Sequence, residues 1–476
     1  MNYQIKFGEL LRKTIEKSNY TIYALSKQSG LNRTLIQKVL VGERSLNEKQ
    51  LKQLLPFLHL TPAETEQLEQ VRLAEQIGTF TYFRCQYIKE LAENIDSKKL
   101  EIPPVDITSK APVSSYSYPV ILNHQYQILN LIYDLAKETN YLYIYSSFDS
   151  AFVVEMLELF QKEEFSSLTI THLIPFIKGN TTNDSYTIKN VKVLSYILPF
   201  AFQNTTDYQA NYYYEDFSTS ATNVLFPYYL VSDKYVLLFS KDYQNALLLG
   251  DKPHDFYQSS FEKLNQSAFS LFQCVDSPMS VLERYIVLKQ TNYAYALDRQ
   301  PCIMHYIDES MPDALIHDYL DFKAPIVEMI LKRHYQLQEI TDTITAFNWQ
   351  GLVAFCKEGI IYDYPPEFYR PFTPDERLLI LNRILESNKQ GKKYFLLVNE
   401  EKFRPCPEFT FFSSGADALF TLFVNGGYKV CTIHETTITL ALQEFMENAI
   451  SLQYVHDVNT SNEYIKEAIR LVCKNK

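Results

Sequence analysis

The stretch from Thr21 to Gly42, TIYALSKQSGLNRTLIQKVLVG, constrains this chain more than any other. Ile22, Leu25 and Ser29 fall on one helical face at i, i+3 and i+7, with the small Ser26 beside them. Gly30 supplies a turn, where a positive φ costs a residue without Cβ nothing. Leu31 is placed to plug the angle between two helices. Asn32 stands where an N-cap belongs, its side-chain oxygen able to accept from the free N–H groups of the next helix. Leu35, Ile36 and Val39 form the buried stripe of that second helix, and Gly42 ends it.

This register leaves Arg33, Thr34, Gln37 and Lys38 together on the outer face. Such donor-rich side chains read base edges and phosphates when a helix lies in the major groove. The structural alternative is a helical hairpin with a solvated polar face. An amphipathic helix precedes the hairpin (Phe7, Leu10, Leu11, Ile15) and another follows it (Leu51, Leu54, Leu55, Leu58). With LLRK before it and LTPAETEQL after it, LSKQSGLNRTLIQKVLVG resembles the XRE family, the phage-repressor-like helix-turn-helix regulators. The resemblance covers roughly residues 5–70. It implies an all-α DNA-binding domain in which Asn32, Arg33, Thr34 and Gln37 face bases. It also implies that Thr21, Lys38, Arg44 and Ser45 sit near phosphates. Ser26 stands where the family usually has Ala, and Leu40 where it often has Glu.

The charge distribution agrees with such a head. Residues 1–60 carry ten Lys and Arg against four Glu, a balance of +6, so the remainder carries −17 of the net −11. A basic head on an acidic body suits a regulator whose body avoids nonspecific DNA contact. With 36 Tyr and 31 Phe against 12 Gly, the composition favours packed, aromatic-rich structure. The length allows about two to four domains. The seven cysteines are scattered, without a CxxC pair or a Cys/His cluster at metal-site spacing. They read as buried small hydrophobes in a reduced cytosol; Cys406, in RPCPEF, is the most loop-like and keeps a redox-sensing reading open. MNYQIKFGE lacks the pattern of a signal peptide, and no apolar run reaches membrane-spanning length. The expectation is a cytoplasmic protein with no membrane partner.

Along the chain, Pro62 opens a helical stretch read as far as about Ile95, its later part a dimer or docking helix or one buried against the body. Residues 96–118, with three prolines and several serines, read as a linker. The expected organisation is multidomain: a helix-turn-helix domain over 1–70, a connector over 71–118, an α/β sensor-like module over 119–275 and a second α/β module over 276–476. In the first module the patterns predict helices over 123–139 and 151–161 and strands over 141–148, 168–176 and 190–198. Strands in 228–251 with a turn at Asp233-Lys234 follow, then a helix from Asp255 to about Gln273. Strand, helix, strand in this order predicts parallel pairing by right-handed crossovers. In the second module they predict a helix over 313–335, a strand pair in LVAFCKEGIIYD (352–363) and a helix capped by Thr373 with Glu376 three residues on. Strands over 393–399, 409–414 and 429–435 and helices over 436–450 and 461–473 complete it. No alignable repeat relates the modules. The first is similar in element order to the phospholipase-D-like sensor halves of some bacterial regulators. The HxK signature of the active enzymes is absent, so hydrolase chemistry does not carry over.

Recognisable catalytic motifs are missing: there is no GxxxxGK[ST] loop, GxGxxG turn, GxSxG elbow or HExxH helix. His434-Glu435 reads as a strand-end polar patch. Asp363, among Tyr362, Tyr364 and Tyr369, belongs either to a rigid loop on the core or to an aromatic-walled ligand pocket. The tyrosines at 212–214 and in FPYYL (226–230) read as strand residues or as ligand stackers. The sequence therefore predicts no catalytic, cofactor or metal residues. It predicts a non-enzymatic transcriptional regulator that binds an operator in double-stranded DNA as a homodimer, with a body that senses a small-molecule or peptide effector or mediates assembly. The alternatives are a protein-interaction component of phage-defence or antitoxin type, and an enzyme with a DNA-targeting head.

Overall fold

A computed structural model describes residues 6–96, 113, 117–147, 150–178, 185–202, 206–215, 224–288, 294–362, 366–391, 393–424 and 427–474. The fold is mixed α/β and divides into two units: residues 1–86 with 180–188, and 87–179 with 189–476.

The first unit is helical: α1 (Phe7–Lys17), α2 (Ile22–Ser29), α3 (Arg33–Leu40), α4 (Glu48–Leu54), α5 (Pro62–Ile77) and the start of α6 (Thr79–Asn94). The predicted stripes meet in one core, where Phe7 and Leu11 of α1 join Leu25, Ile36, Val39, Leu51 and Leu54. Capping boxes start α4 (Asn47 with Gln50) and α5 (Thr61 with Glu64). The single helix read from Pro62 to Ile95 is two helices, because Gly78 at φ 95° breaks it. The backbones of α1 and α3 nearly touch: a Cβ on Gly8 would lie 2.4 Å from the Val39 carbonyl oxygen. Beside that contact Arg12 Nη2 donates to the Leu40 carbonyl at 3.1 Å.

The second unit carries one sheet topology twice. The first copy runs β1 (Val120–Leu122), α7 (Gln125–Lys137), β2 (Tyr141–Tyr145), α8 (Ala151–Leu159), β3 (Thr169–Ile177), α9 (Ser185–Phe202), β4 (Asp207–Glu215), β5 (Tyr228–Val231), β6 (Val236–Phe239), β7 (Ala246–Leu249) and α10 (His254–Gln266). A strap of two short strands follows, β8 (Phe269–Ser270) and β9 (Gln273–Val275). The second copy begins with β9 and continues α11 (Pro278–Leu288), β10 (Tyr295–Asp298), α12 (Met311–Leu315), α13 (Lys323–Glu339), β11 (Thr343–Phe347), α14 (Trp349–Glu358), α15 (Pro374–Gln390) and β12 (Lys393–Leu397). It ends with β13 (Phe409–Ser413), β14 (Ala418–Val424), β15 (Gly427–Ile433), α16 (Thr436–Glu447) and α17 (Val458–Lys474).

The strand orders are β1-β7-β6-β5-β2-β3-β4 and β9-β15-β14-β13-β10-β11-β12, with β8 added beside β4. In each copy the trio β2-β3-β4 or β10-β11-β12 is parallel, and the other pairings are antiparallel.

Several expectations are corrected. Residues 190–198 lie in α9 and are not a strand; the third parallel strand is β4, which carries the tyrosine run. Ile188, Val191, Val193, Leu194, Ile197 and Leu198 are all buried, and only a narrow half-buried stripe of Lys189, Lys192, Ser195 and Tyr196 faces outward, so the apolar-rich segment passes for a strand. Residues 352–358 are helix, not one arm of a strand pair. Asn348 caps α14 by accepting from the Gly351 N–H at 2.7 Å, and Gly359 ends it at φ 71°. The helix predicted over 313–335 is two, α12 and α13, and α10 stops at Gln266, before the strap. Strands β1, β8, β9, β10, β11 and β14 fall outside the strands that the sequence predicts. The Thr373–Glu376 capping box forms as expected, with Arg370 paired to the same carboxylate.

The sequence predicts free cysteines throughout. Cys274 and Cys431 instead form a disulfide, because β9 and β15 place them directly opposite one another. Alkylation in denaturant without reductant should leave these two unmodified while labelling Cys85, Cys302, Cys356, Cys406 and Cys473. Mass spectrometry that finds Cys274 or Cys431 alkylated before reduction would contradict the bond.

In the first copy's parallel trio, buried His172 of β3 bonds through Nε2 to Ser146 Oγ at 2.8 Å and through Nδ1 to the Tyr208 hydroxyl at 2.9 Å. Burial lowers its pKa to about 3, so the folded ring stays neutral where the unfolded one takes up a proton. Stability from this site is complete above the unfolded pKa of about 6.5 and is lost as pH falls toward about 3. The loss is roughly 1.4 kcal/mol per pH unit. His172→Gln should flatten the acid limb of a stability-versus-pH curve; an unchanged limb would refute this assignment. In the first unit, Gly8→Ala should destabilise by about 1–3 kcal/mol through overpacking against α3, measured by denaturant unfolding.

Candidate nucleic-acid interface

The surface around α3 is built by local caps. Thr21 Oγ1 accepts from the Ala24 N–H at 3.2 Å and starts α2. Gly30 ends α2 in the left-handed region at φ 73°, its N–H donating to the Ser26 carbonyl at 3.1 Å. The Ser26 hydroxyl donates to the Leu31 carbonyl at 2.6 Å, so serine at this position ties the turn that alanine would leave untied. Asn32 Oδ1 accepts from the Thr34 N–H at 2.7 Å and starts α3. Ile36, Val39 and Leu40 face inward. Leu40 belongs to the core, which accounts for an apolar residue there.

This geometry sets the polar residues of α3 outward. Arg33, Thr34 and Gln37 are exposed, and Lys38 is half-buried with Nζ 4.0 Å from a Glu43 carboxylate oxygen. Arg33 and Gln37 are i and i+4, hence neighbours on one row of the helix surface. Thr21, Asn32, Arg44 and Ser45 are exposed as well, the last two in the segment between α3 and α4. Thr21 and Asn32 spend a side-chain oxygen on capping, which leaves the Asn32 amide NH2 and the Thr21 hydroxyl proton for an outside partner.

Cations on this surface differ in their commitments. Lys17 pairs with Glu64, and Lys52 with Glu48. Among the described residues, Lys27, Arg33 and Arg44 form no ion pair. Two exposed residues were not singled out from the sequence: Tyr23 of α2 (65% exposed) and Val41 (63%). Tyr23 lies off the Ile22–Leu25–Ser29 stripe, which was the available signal. Arg12 carries no sequence signal of its contact, since its partner is the Leu40 backbone carbonyl.

The other candidate positions are structural where they are described. Asp363 and Tyr364 lie outside the described residues. Tyr369 is buried, its hydroxyl bonded to both the N–H and the carbonyl of Ile361, and the Arg299 guanidinium covers the Tyr362 ring at 3.6 Å. Tyr212, Tyr213 and Tyr214 lie on β4, and the Tyr214 hydroxyl donates to Glu435 at 2.7 Å. Glu435 caps α16, while His434 Nδ1 sits 2.5 Å from an Asp417 oxygen. Asp233 and Lys234 occupy the β5–β6 turn, closed by the Ser232 N–H to the Tyr235 carbonyl. Apart from Asp96, Val113, Ser117 and Tyr118, the linker read over 96–118 is outside the described residues. Among the described residues no helix is long and apolar enough to cross a membrane. No protein-family model matches this chain, and no curated protein matches it.

Proposed function

We propose that the first unit is a helix-turn-helix domain of the XRE type and that the protein is a cytoplasmic, sequence-specific transcriptional regulator. The observation that carries this reading is the outer face of α3. Its exposed Arg33, Thr34 and Gln37 stand on a short, capped helix whose opposite side is core. Laid in the major groove, Arg33 is suited to a guanine edge and Gln37 to an adenine edge, each by two hydrogen bonds. Asn32 and Thr34 flank them. Thr21, Lys38, Arg44 and Ser45 are assigned to phosphates, where they fix register without reading sequence. One head offers few base contacts, so two copies of the chain would bind half-sites about one helical turn apart. The second unit would then set how the two heads are spaced, in response to a small-molecule or peptide effector.

Selection of genomic fragments on purified full-length protein tests the proposal. The expected outcome is one recovered sequence, bound with a log–log salt slope that reflects several phosphate contacts. Arg33→Ala and Gln37→Ala should each weaken binding to that sequence by about 1–3 kcal/mol and relax its base preference. Arg44→Ala should weaken all DNA alike and lower the salt slope by about one. Weak binding without sequence preference, unchanged by Arg33→Ala and Gln37→Ala, would overturn the regulator and favour a head that contacts protein.

A further inference from the structure

The second unit holds a cavity of about 470 Å3 at the carboxyl ends of β11 and β12. Asn348 follows β11, Glu400 lies just past β12, and Arg404 to Glu408 lead into β13. Glu93 and Asp96 line it from the end of α6. Crevices outside the carboxyl ends of parallel strands are where open α/β sheets lodge ligands.

Inside this cavity Asp96, Cys406 and Glu408 bring two carboxylates and a sulfur together, their ligand atoms all within 4.8 Å of one another. Cys406 is 8% exposed, and its Sγ has no partner outside the trio; it donates only to Glu408 Oε2, at 3.5 Å. Among the described residues neither Asp96 nor Glu408 forms an ion pair. The lining as a whole sets four carboxylates against the single guanidinium of Arg404. Backbone constraints hold the donors in place. Pro405 and Pro407 flank Cys406 and restrict the loop. The Cys406 N–H donates to the Ala92 carbonyl at 2.7 Å, tying the loop to the last turn of α6.

We propose that Asp96, Cys406 and Glu408 bind a zinc ion. A thiolate favours zinc over magnesium or calcium. Zinc bonds of about 2.3 Å to sulfur and about 2.0–2.2 Å to oxygen put tetrahedral donors roughly 3.5 Å apart, the separation of Cys406 Sγ from Glu408 Oε2. As the zinc–sulfur bond forms, the thiol proton passes to solvent. Three protein ligands leave a fourth position open to the cavity, for water or a small coordinating molecule. The ion would join the end of α6 to the loop before β13. The inference is independent of the DNA-binding reading.

The test is titration of chelator-treated full-length protein with cobalt(II), followed by displacement with zinc. The expected result is one-to-one binding with a thiolate-to-cobalt charge-transfer band that zinc abolishes. Cys406→Ser should remove the band and weaken zinc binding by at least roughly tenfold. Asp96→Asn, at an exposed position, should weaken binding without unfolding the chain, a check that does not depend on how well Cys406→Ser folds. Cys473 is an exposed free thiol, so Cys473→Ser should keep the band. No stoichiometric binding, a band that survives Cys406→Ser, or a band lost in Cys473→Ser would each overturn the site.

Discussion

Each sheet of the second unit depends on one strand that pairs in parallel on one side and antiparallel on the other: β2 in the first copy, β10 in the second. A parallel neighbour can be reached only by a crossover that returns the chain to its starting edge, whereas an antiparallel neighbour follows a reversal. The helices therefore cluster between the parallel strands, and hairpins build the other half of each sheet. Strands covered on both faces need apolar residues throughout. That is why β3 and β13 are buried along nearly their whole length.

The copies share strand order but not elaboration. Single helices, α8 and α9, make the crossovers of the first copy; two helices make each crossover of the second. They are bonded to one another inside the unit. Asn190 of α9 donates to Thr437 of α16 at 3.1 Å, and the strap pairs with β4 through β8 and with β15 through β9. The same parallel trio thus supports a compact copy and an enlarged one, and the cavity belongs to the enlarged copy.

What was legible in the sequence was local. The caps at Asn32 and Thr373, the turn at Gly30 and the inward stripes of α1 and α3 are each set by residues a few positions apart. The structure places them as read. The pattern misleads where a mostly buried helix keeps only a narrow polar stripe. NVKVLSYIL has the apolar richness of a strand because its helix turns only the narrow Lys189–Lys192–Ser195 stripe outward, and Pro199 just beyond lies inside the same helix. LVAFCKEGIIYD has the pattern of a strand pair, yet Asn348 and Gly359 mark a helix start and stop around its first half. The repeated topology left no repeat in the residues, since strand order is set by pairing and many apolar sequences satisfy it. Asp96 and Cys406 could not have been joined from the sequence, because the loop that carries Cys406 meets the end of α6 through main-chain donors, the Cys406 N–H to the Ala92 carbonyl and the Arg404 N–H to Glu93, which leave no residue signature.

The bond between Cys274 and Cys431 spans a sequence separation of 157 and joins the first strand of the second copy to its last. That copy is consequently a covalent ring from β9 to β15, and the first copy has no such closure among the described residues. In the chain-entropy picture, a loop of this size removes about 5 kcal/mol of disorder from the unfolded ensemble. Almost all of that restriction falls on the second copy. When the chain is unfolded with this bond intact, the two copies of one topology thus refold from unequal ensembles, one ring-closed and the other open.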